Sequence, residues 1–410
     1  MSQRRAWTFM VFMAGDNNLS AAGDADLAEM RRVGSTDRIN VVVEFDNAGD
    51  AETRRYRVTR DGIDEAVESL GETDSGSPEV LSDFISWAAQ NYPAERYALI
   101  LWNHGGGWAP TEVDRVARSV ASPGYNEREL AERSSSPLGR VVFRSSLERI
   151  FGLANPTERA ICSDDGSGHS LDTLELGKVI ARGAETIGRP FDLLGMDACL
   201  MSNLEVAYQV RDHVRHIVAS EENEPGDGWP YDRVLGRLVA DPEMTTAELA
   251  RHIVSDFVAW YQERGHTGGV TQAAIDLSRL DSLTGPLDVF ADRLTTVMAD
   301  AYSDVWQAQR RSTRFQNNTL WDLGDFCSQL AARTADRELS HAAQAVVTAL
   351  EGGKGSPVIA EQHSGDSVAG CRGITIYLVP PMTELSRFYG ELDFAADHRW
   401  LQMLEAYHAV

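Results

Sequence analysis

Along the first 240 residues, short apolar runs alternate with segments in which apolar residues recur every three or four positions. This is the pattern of a parallel sheet with helices on its faces. The runs predict strands at Trp7–Met13, Asn40–Phe45, Tyr97–Trp102, Phe191–Gly195 and His216–Ser220, with Arg55–Thr59 as an antiparallel addition. Between them, Ser20–Val33 and Pro78–Asn91 have helical spacing, and Ser77 before Pro78 supplies an N-cap and a first-turn proline. After Thr245 the pattern shifts to long helices at Thr246–Glu263, Leu280–Ala301 and Thr319–Glu351. Val270–Leu277 reads as a further strand, Glu351–Ser367 as a polar loop, and Gly373–Val379 as a last strand stopped by Pro380 and Pro381. The predicted organisation is an α/β core over residues 1–244 and a mainly helical region over 245–410 that returns a strand at 373–379.

One stretch breaks the rhythm. Residues 110–160 show no strand pattern, carry two Pro/Gly/Ser clusters and hold eight arginines. Segments longer than about 15 residues without regular structure are uncommon inside compact domains and are usually functional insertions or disordered.

Two predicted strands stop at chemically useful residues. Tyr97–Trp102 runs into Asn103-His104-Gly105-Gly106-Gly107, and Phe191–Gly195 runs through Asp197 to Cys199, which opens an amphipathic helical pattern. Ligands of open α/β sheets bind outside the carboxyl ends of the strands, so His104 and Cys199 are expected at one edge. A thiol and an imidazole there make a nucleophile and its base. The glycines leave backbone N–H groups uncrowded, and those of Gly105 and Cys199 are candidates for an oxyanion hole. A helix beginning at Cys199 would stabilise its thiolate. Asp197 has three readings: it orients His104, bridges backbone amides, or lines a pocket for a cationic group. The carboxylate-rich segment Ala219–Tyr231 follows a core strand at the same edge and reads as a pocket wall.

Composition narrows the partners. A net charge of −24 at pH 7 argues against nucleic acid and anionic membranes, which attract basic surfaces. No apolar run approaches the roughly 18 residues of a membrane span. The apolar stretch Trp7–Ala14 lacks a small-residue cleavage site and reads as a core strand rather than a signal peptide. The four cysteines, Cys162, Cys199, Cys327 and Cys371, show no paired framework, which points to free thiols in a reducing cytosol.

Five segments carry a resemblance to the clostripain family of cysteine proteases, relatives of caspases, gingipains and legumains. They are Met13-Ala-Gly-Asp-Asn-Asn-Leu19, Leu101-Trp-Asn-His-Gly-Gly-Gly-Trp108, Met196-Asp-Ala-Cys-Leu-Met201, Ala219–Tyr231 and, more weakly, Gly373–Pro380. The resemblance implies a caspase-like α/β sandwich with a C-terminal extension. It implies Cys199 as nucleophile, His104 as proton-transfer group, and Asp197 with Asp227 as the acidic base of a pocket for arginine or lysine. It also implies a protein or peptide substrate and a precursor that cuts itself between histidine and cysteine. Within 110–160 the self-cleavage candidates are Arg128, Arg133, Arg140, Arg144 and Arg149. The thiol chemistry needs no cofactor. Some relatives bind calcium, and Asp164-Asp165 and Glu221-Glu222 are acidic pairs without EF-hand spacing. A cytosolic protease of this kind needs control, by self-cleavage or a regulatory partner protein, which suggests signalling or defence. The competing readings are a catalytically inactive caspase-like interaction module and a thiol amidase or acyltransferase.

Overall fold

The computed structural model describes residues 4–49, 52–63, 65–108, 162, 170–315, 317–351, 353–386 and 388–410. Arg128, Arg133, Arg140, Arg144 and Arg149 lie outside these residues, as do Asp164 and Asp165. The strands are β1 (Arg5–Gly15), β2 (Ile39–Asn47), β3 (Glu52–Arg57), β4 (Ala66–Gly71), β5 (Ala94–Trp102), β6 (Phe191–Asp197), β7 (Val214–Ala219), β8 (Val270–Asp276), β9 (Leu320–Asp322), β10 (Val358–Ser364) and β11 (Thr375–Tyr377). Nine form one sheet in the order β10-β8-β7-β6-β5-β1-β2-β3-β4, and β9 with β11 forms a separate ribbon. The central strands β2, β1, β5, β6 and β7 are mutually parallel, while β3, β4, β8 and β10 add antiparallel edges.

Both faces of the centre are covered, which explains why β1 and β6 read as unbroken apolar runs. On β1, Met10, Phe12 and Ala14 face one core, and Phe9, Val11 and Met13 face the other. Helices α1 (Ser20–Val33), α5 (Tyr231–Ala240) and α6 (Thr246–Glu263) supply Leu27, Val234 and Ile253 to the second core. The first core takes Phe84 from α2 (Pro78–Asn91), Leu176 from α3 (Thr173–Ile187) and Phe290 from α7 (Asp281–Arg311). Ser77 caps α2 as its sequence predicts, accepting from the Glu79 N–H at 3.2 Å. Residues 245–410 add β8 and β10 to the sheet, so the helical extension shares both sheet and core with 1–244.

Three elements differ from the sequence pattern. Glu351–Ser367 is not a plain loop: it contains β10, an edge strand with half-buried, mixed-polarity positions that leave no apolar run. The long helix expected over Thr319–Glu351 is broken into β9, α8 (Leu323–Ala331) and α9 (Arg337–Glu351). Asp322 starts α8 by accepting from the Asp325 N–H at 2.6 Å. The last strand is only Thr375–Tyr377, and it pairs with β9 rather than with the main sheet.

Candidate active site

Trp102 and Asp197 are register partners across β5 and β6, so the chain leaves these strands side by side. The Asn103 N–H donates to the Asp197 carbonyl at 3.2 Å, extending the ladder past β5. Buried Asn103 then pins the loop: its Nδ2 donates to the Ala14 carbonyl, and its Oδ1 accepts from the His104 N–H. His104 Nε2 lies 2.7 Å from Asn18 Oδ1, and Asn18 follows β1 at the same edge. An amide oxygen only accepts, so in this contact the imidazole donates from Nε2.

Cys199 lies in a turn, not at a helix start. Leu200 has φ of 65°, and the next helix, α4 (Leu204–Gln209), begins after Asn203, whose side chain accepts from the Val206 N–H at 3.2 Å. The expected helix-dipole support for a thiolate is therefore corrected. Ser202 explains the delay: its N–H donates to the Ser220 carbonyl at 2.8 Å and its carbonyl accepts from Thr375 N–H at 2.9 Å. These contacts hold the backbone extended until Asn203 releases it into the helix. A left-handed leucine costs about 1–2 kcal/mol, and the Leu200 N–H bond to the Glu222 carbonyl at 3.2 Å helps hold it.

The two loops touch at Gly105. A Cβ there would sit 2.1 Å from the Cys199 carbonyl oxygen and 3.0 Å from Met201 Cγ. Glycine is thus required for close approach more than for exposing its N–H. Gly105→Ala is expected to lower kcat/KM by about 100-fold, as an ångström-scale misplacement does, with the circular dichroism spectrum unchanged; steady-state kinetics checks this. The half-buried Cys199 thiol donates to the Glu224 carbonyl, with sulfur 3.9 Å away. Burial raises its pKa, hydrogen bonds that the thiolate accepts from the Glu224 and Gly105 backbone oppose that, and the Glu222 and Asp197 carboxylates add to it. The thiol therefore holds its proton until a base removes it.

Beside the thiol lies a buried acidic group. Asp197 Oδ2 accepts from the Trp229 N–H at 3.2 Å and the Tyr231 hydroxyl at 2.8 Å, while its carboxyl also meets that of Glu224. Glu224 Oε1 accepts from Gln272 Nε2 at 3.1 Å, and among the described residues no N–H or hydroxyl donates to its buried Oε2. Asp26 on α1 accepts from Trp102 Nε1 at 2.7 Å. Gly228 threads between the acids: with φ of 60°, a Cβ there would lie 2.9 Å from Asp26 Oδ2 and 3.2 Å from Asp197 Oδ2. Asp227 is exposed, and Glu224 is the loop carboxyl that meets Asp197.

Burial, then the Asp197 charge, pushes Asp26 up to about 9. Burial likewise raises Asp197 and, reinforced by the Asp197 charge, lifts Glu224 well above the carboxylate range. A carboxyl raised in the folded state binds a proton there that the unfolded chain has released, so stability falls as pH rises. For Asp26 that window runs from its ordinary 3.8 to about 9. Asp26→Asn is expected to flatten the decline in Tm between these limits and to raise Tm at the alkaline end, as thermal melts across pH will show.

Sequence reasoning missed Asn18, Asp26 and Glu224. Asp26 had a signal, because it sits among Gly23, Leu27 and Met30 on the buried stripe of α1. Glu224 had none that separates it from its acidic neighbours.

A family model described as the Clostripain family, peptidase C11, matches residues 11–131 and 142–407. The chain belongs to the clostripain family of C11 cysteine proteases. It is 29% identical over 265 residues to clostripain of Hathewaya histolytica, covering 57% of this chain and 42% of that protein. Among solved structures, a secreted C11 cysteine protease from Bacteroides thetaiotaomicron, in complex with an irreversible peptide inhibitor, superposes with a TM-score of 0.62. It is 18% identical, over 99% of this chain and 100% of that one. An inactive zymogen C11 protease from Parabacteroides distasonis gives a TM-score of 0.64 at 20% identity, over 97% and 99%. These likenesses establish the caspase-like α/β fold expected of a clostripain-family chain.

Proposed function

We propose that the chain is an endopeptidase that cuts polypeptides after arginine, and less readily after lysine, with Cys199 as nucleophile and His104 as its proton carrier. The observation that carries this reading is the position of Cys199: its sulfur meets the Gly105 backbone on the His104 loop, and Glu224 links it to Asp197. The His104 imidazole takes the thiol proton as sulfur bonds to the substrate carbonyl carbon. The Gly105 and Cys199 N–H groups hold the oxyanion. His104 then protonates the departing amine, and water, deprotonated by the imidazole, cleaves the thioester and restores the thiol.

The acidic group supplies the specificity. Asp197 and Glu224 touch with no basic side chain among the described residues between them, an arrangement that a guanidinium relieves by donating to both carboxylates. Asp227 is exposed on the same loop, and its charge is felt at Asp26. The arginines of 110–160 are then substrates of the chain itself, and the zymogen form of the Parabacteroides relative supports control by such a cut. We place the cut within Arg128–Arg149 and the enzyme in the cytosol, where its four free thiols persist. Regulated signalling or defence fits that placement, with a partner protein as the alternative control.

A peptide-like electrophile bearing arginine at the reactive position tests the assignment. Labelling of the wild type that is lost in Cys199→Ala supports it, and labelling indifferent to that change favours an interaction module. On denaturing gels the wild type should divide near the 110–160 segment while Cys199→Ala stays whole; an active enzyme that remains one full-length chain removes self-cleavage from the proposal.

A further inference from the structure

A second group of buried ionisable side chains lies behind the catalytic turn. Glu221 follows β7, Asp322 ends β9, and Cys371 precedes β11, so three distant segments converge. All three residues are buried, and their ligand-capable atoms lie within 4.8 Å of one another. Glu221 Oε2 accepts from the Gly373 N–H at 2.9 Å. Asp322 Oδ1 accepts from the Asp325 N–H at 2.6 Å, and Oδ2 from the Arg372 N–H at 2.5 Å. Glu221 Oε1 is buried and, among the described residues, receives no hydrogen bond from an N–H or hydroxyl; its polar neighbours are the Asp322 carboxyl and the Cys371 thiol. The Arg372 guanidinium does not compensate, because it pairs with Glu351.

Two carboxyls packed against a thiol, with no basic side chain among the described residues beside them, form a costly arrangement, since buried charges are normally paired or metal-bound. We propose that Glu221, Asp322 and Cys371 bind a thiophilic divalent cation of the zinc type. Tetrahedral zinc with Zn–S of about 2.3 Å and Zn–O of about 2.0–2.2 Å sets its ligand atoms roughly 3.4–3.6 Å apart. The cluster closes to that geometry by shifts of about an ångström. Calcium fits poorly, because it takes six to eight oxygens and no sulfur. Entry of the ion displaces the thiol proton and the proton held between the carboxyls, so binding releases acid. Glu361 lies near enough to add its charge to the attraction. The bound ion ties β7, β9 and the turn before β11 together, one residue from the Glu222 carbonyl that holds Leu200.

The full chain carrying Cys199→Ala, which leaves Cys162, Cys327 and Cys371 as its thiols, is titrated with zinc and then cadmium. One equivalent of zinc should bind with proton release and raise Tm, and cadmium should give an ultraviolet thiolate charge-transfer band. In Cys371→Ser the band should disappear, and in Glu221→Gln zinc affinity should fall at least tenfold; melts without metal establish that both variants fold. Absence of stoichiometric binding in the unaltered site overturns the proposal, whatever the variants do. So does a band that persists in Cys371→Ser.

Discussion

Cys199→Ala is expected to lower kcat/KM for an arginine peptide by at least about 10,000-fold, because it removes the atom that bonds to the substrate. The fold should persist. Cys199 is half-buried in a turn whose shape is set by backbone contacts of Leu200 and Ser202, not by the thiol. His104→Ala is expected to approach the same loss, since the thiol of Cys199 is raised by burial and needs a base. Cys162, Cys327 and Cys371 should each be replaceable without loss of the chemical step. Stopped-time assays on purified, folded variants measure all of these, and near-normal turnover in Cys199→Ala would end the assignment.

The second large effect is at Asp197. Asp197→Asn keeps the shape of the side chain but removes the charge that a buried guanidinium needs. Leaving such a charge unpaired costs about 3–5 kcal/mol, so kcat/KM for arginine substrates should fall by about 150- to 4,000-fold. Neutral residues before the cut bond make no such pair, and their already slow cleavage should change only a few-fold. Glu224→Gln should act in the same direction but more weakly, because Glu224 and Asp197 do not ionise together. Asp227→Ala should cost least of the three, since an exposed carboxylate acts through solvent. Raising the pH frees the shared protons, so KM for arginine peptides should fall as pH rises, until Cys199 chemistry dominates the profile. Kinetics on matched arginine and neutral peptides separate these contributions.

The central sheet was legible because β1, β5 and β6 are buried on both faces, which leaves continuous apolar runs whose ends are sharp. The same property marked His104 and Cys199, which stand two residues beyond the paired Trp102 and Asp197. The two outermost strands, β4 and β10, were not legible, although β3 and β8 inside them were. β10 lies at the sheet edge and is only half-buried along its length, so Val358–Ser364 mixes polar and apolar residues as a loop does. The turn at Cys199 was misread because the helical spacing of Leu204 and Tyr208 extends backwards in sequence. Long-range bonds from Ser202 to Ser220 and Thr375 stop it in space. The acidic group needed the fold as well: Asp26, Asp197 and Glu224 come from a helix, a strand end and a loop, and only the sheet brings them together.

The most direct measurement is the cleavage profile of the purified enzyme on a peptide library randomised before the cut bond, with Cys199→Ala assayed in parallel. The account predicts cuts after arginine first and lysine second, none after neutral or acidic residues at comparable rates, and none at all from Cys199→Ala. A preference for aspartate or large apolar residues, or an undiminished profile from Cys199→Ala, would contradict it.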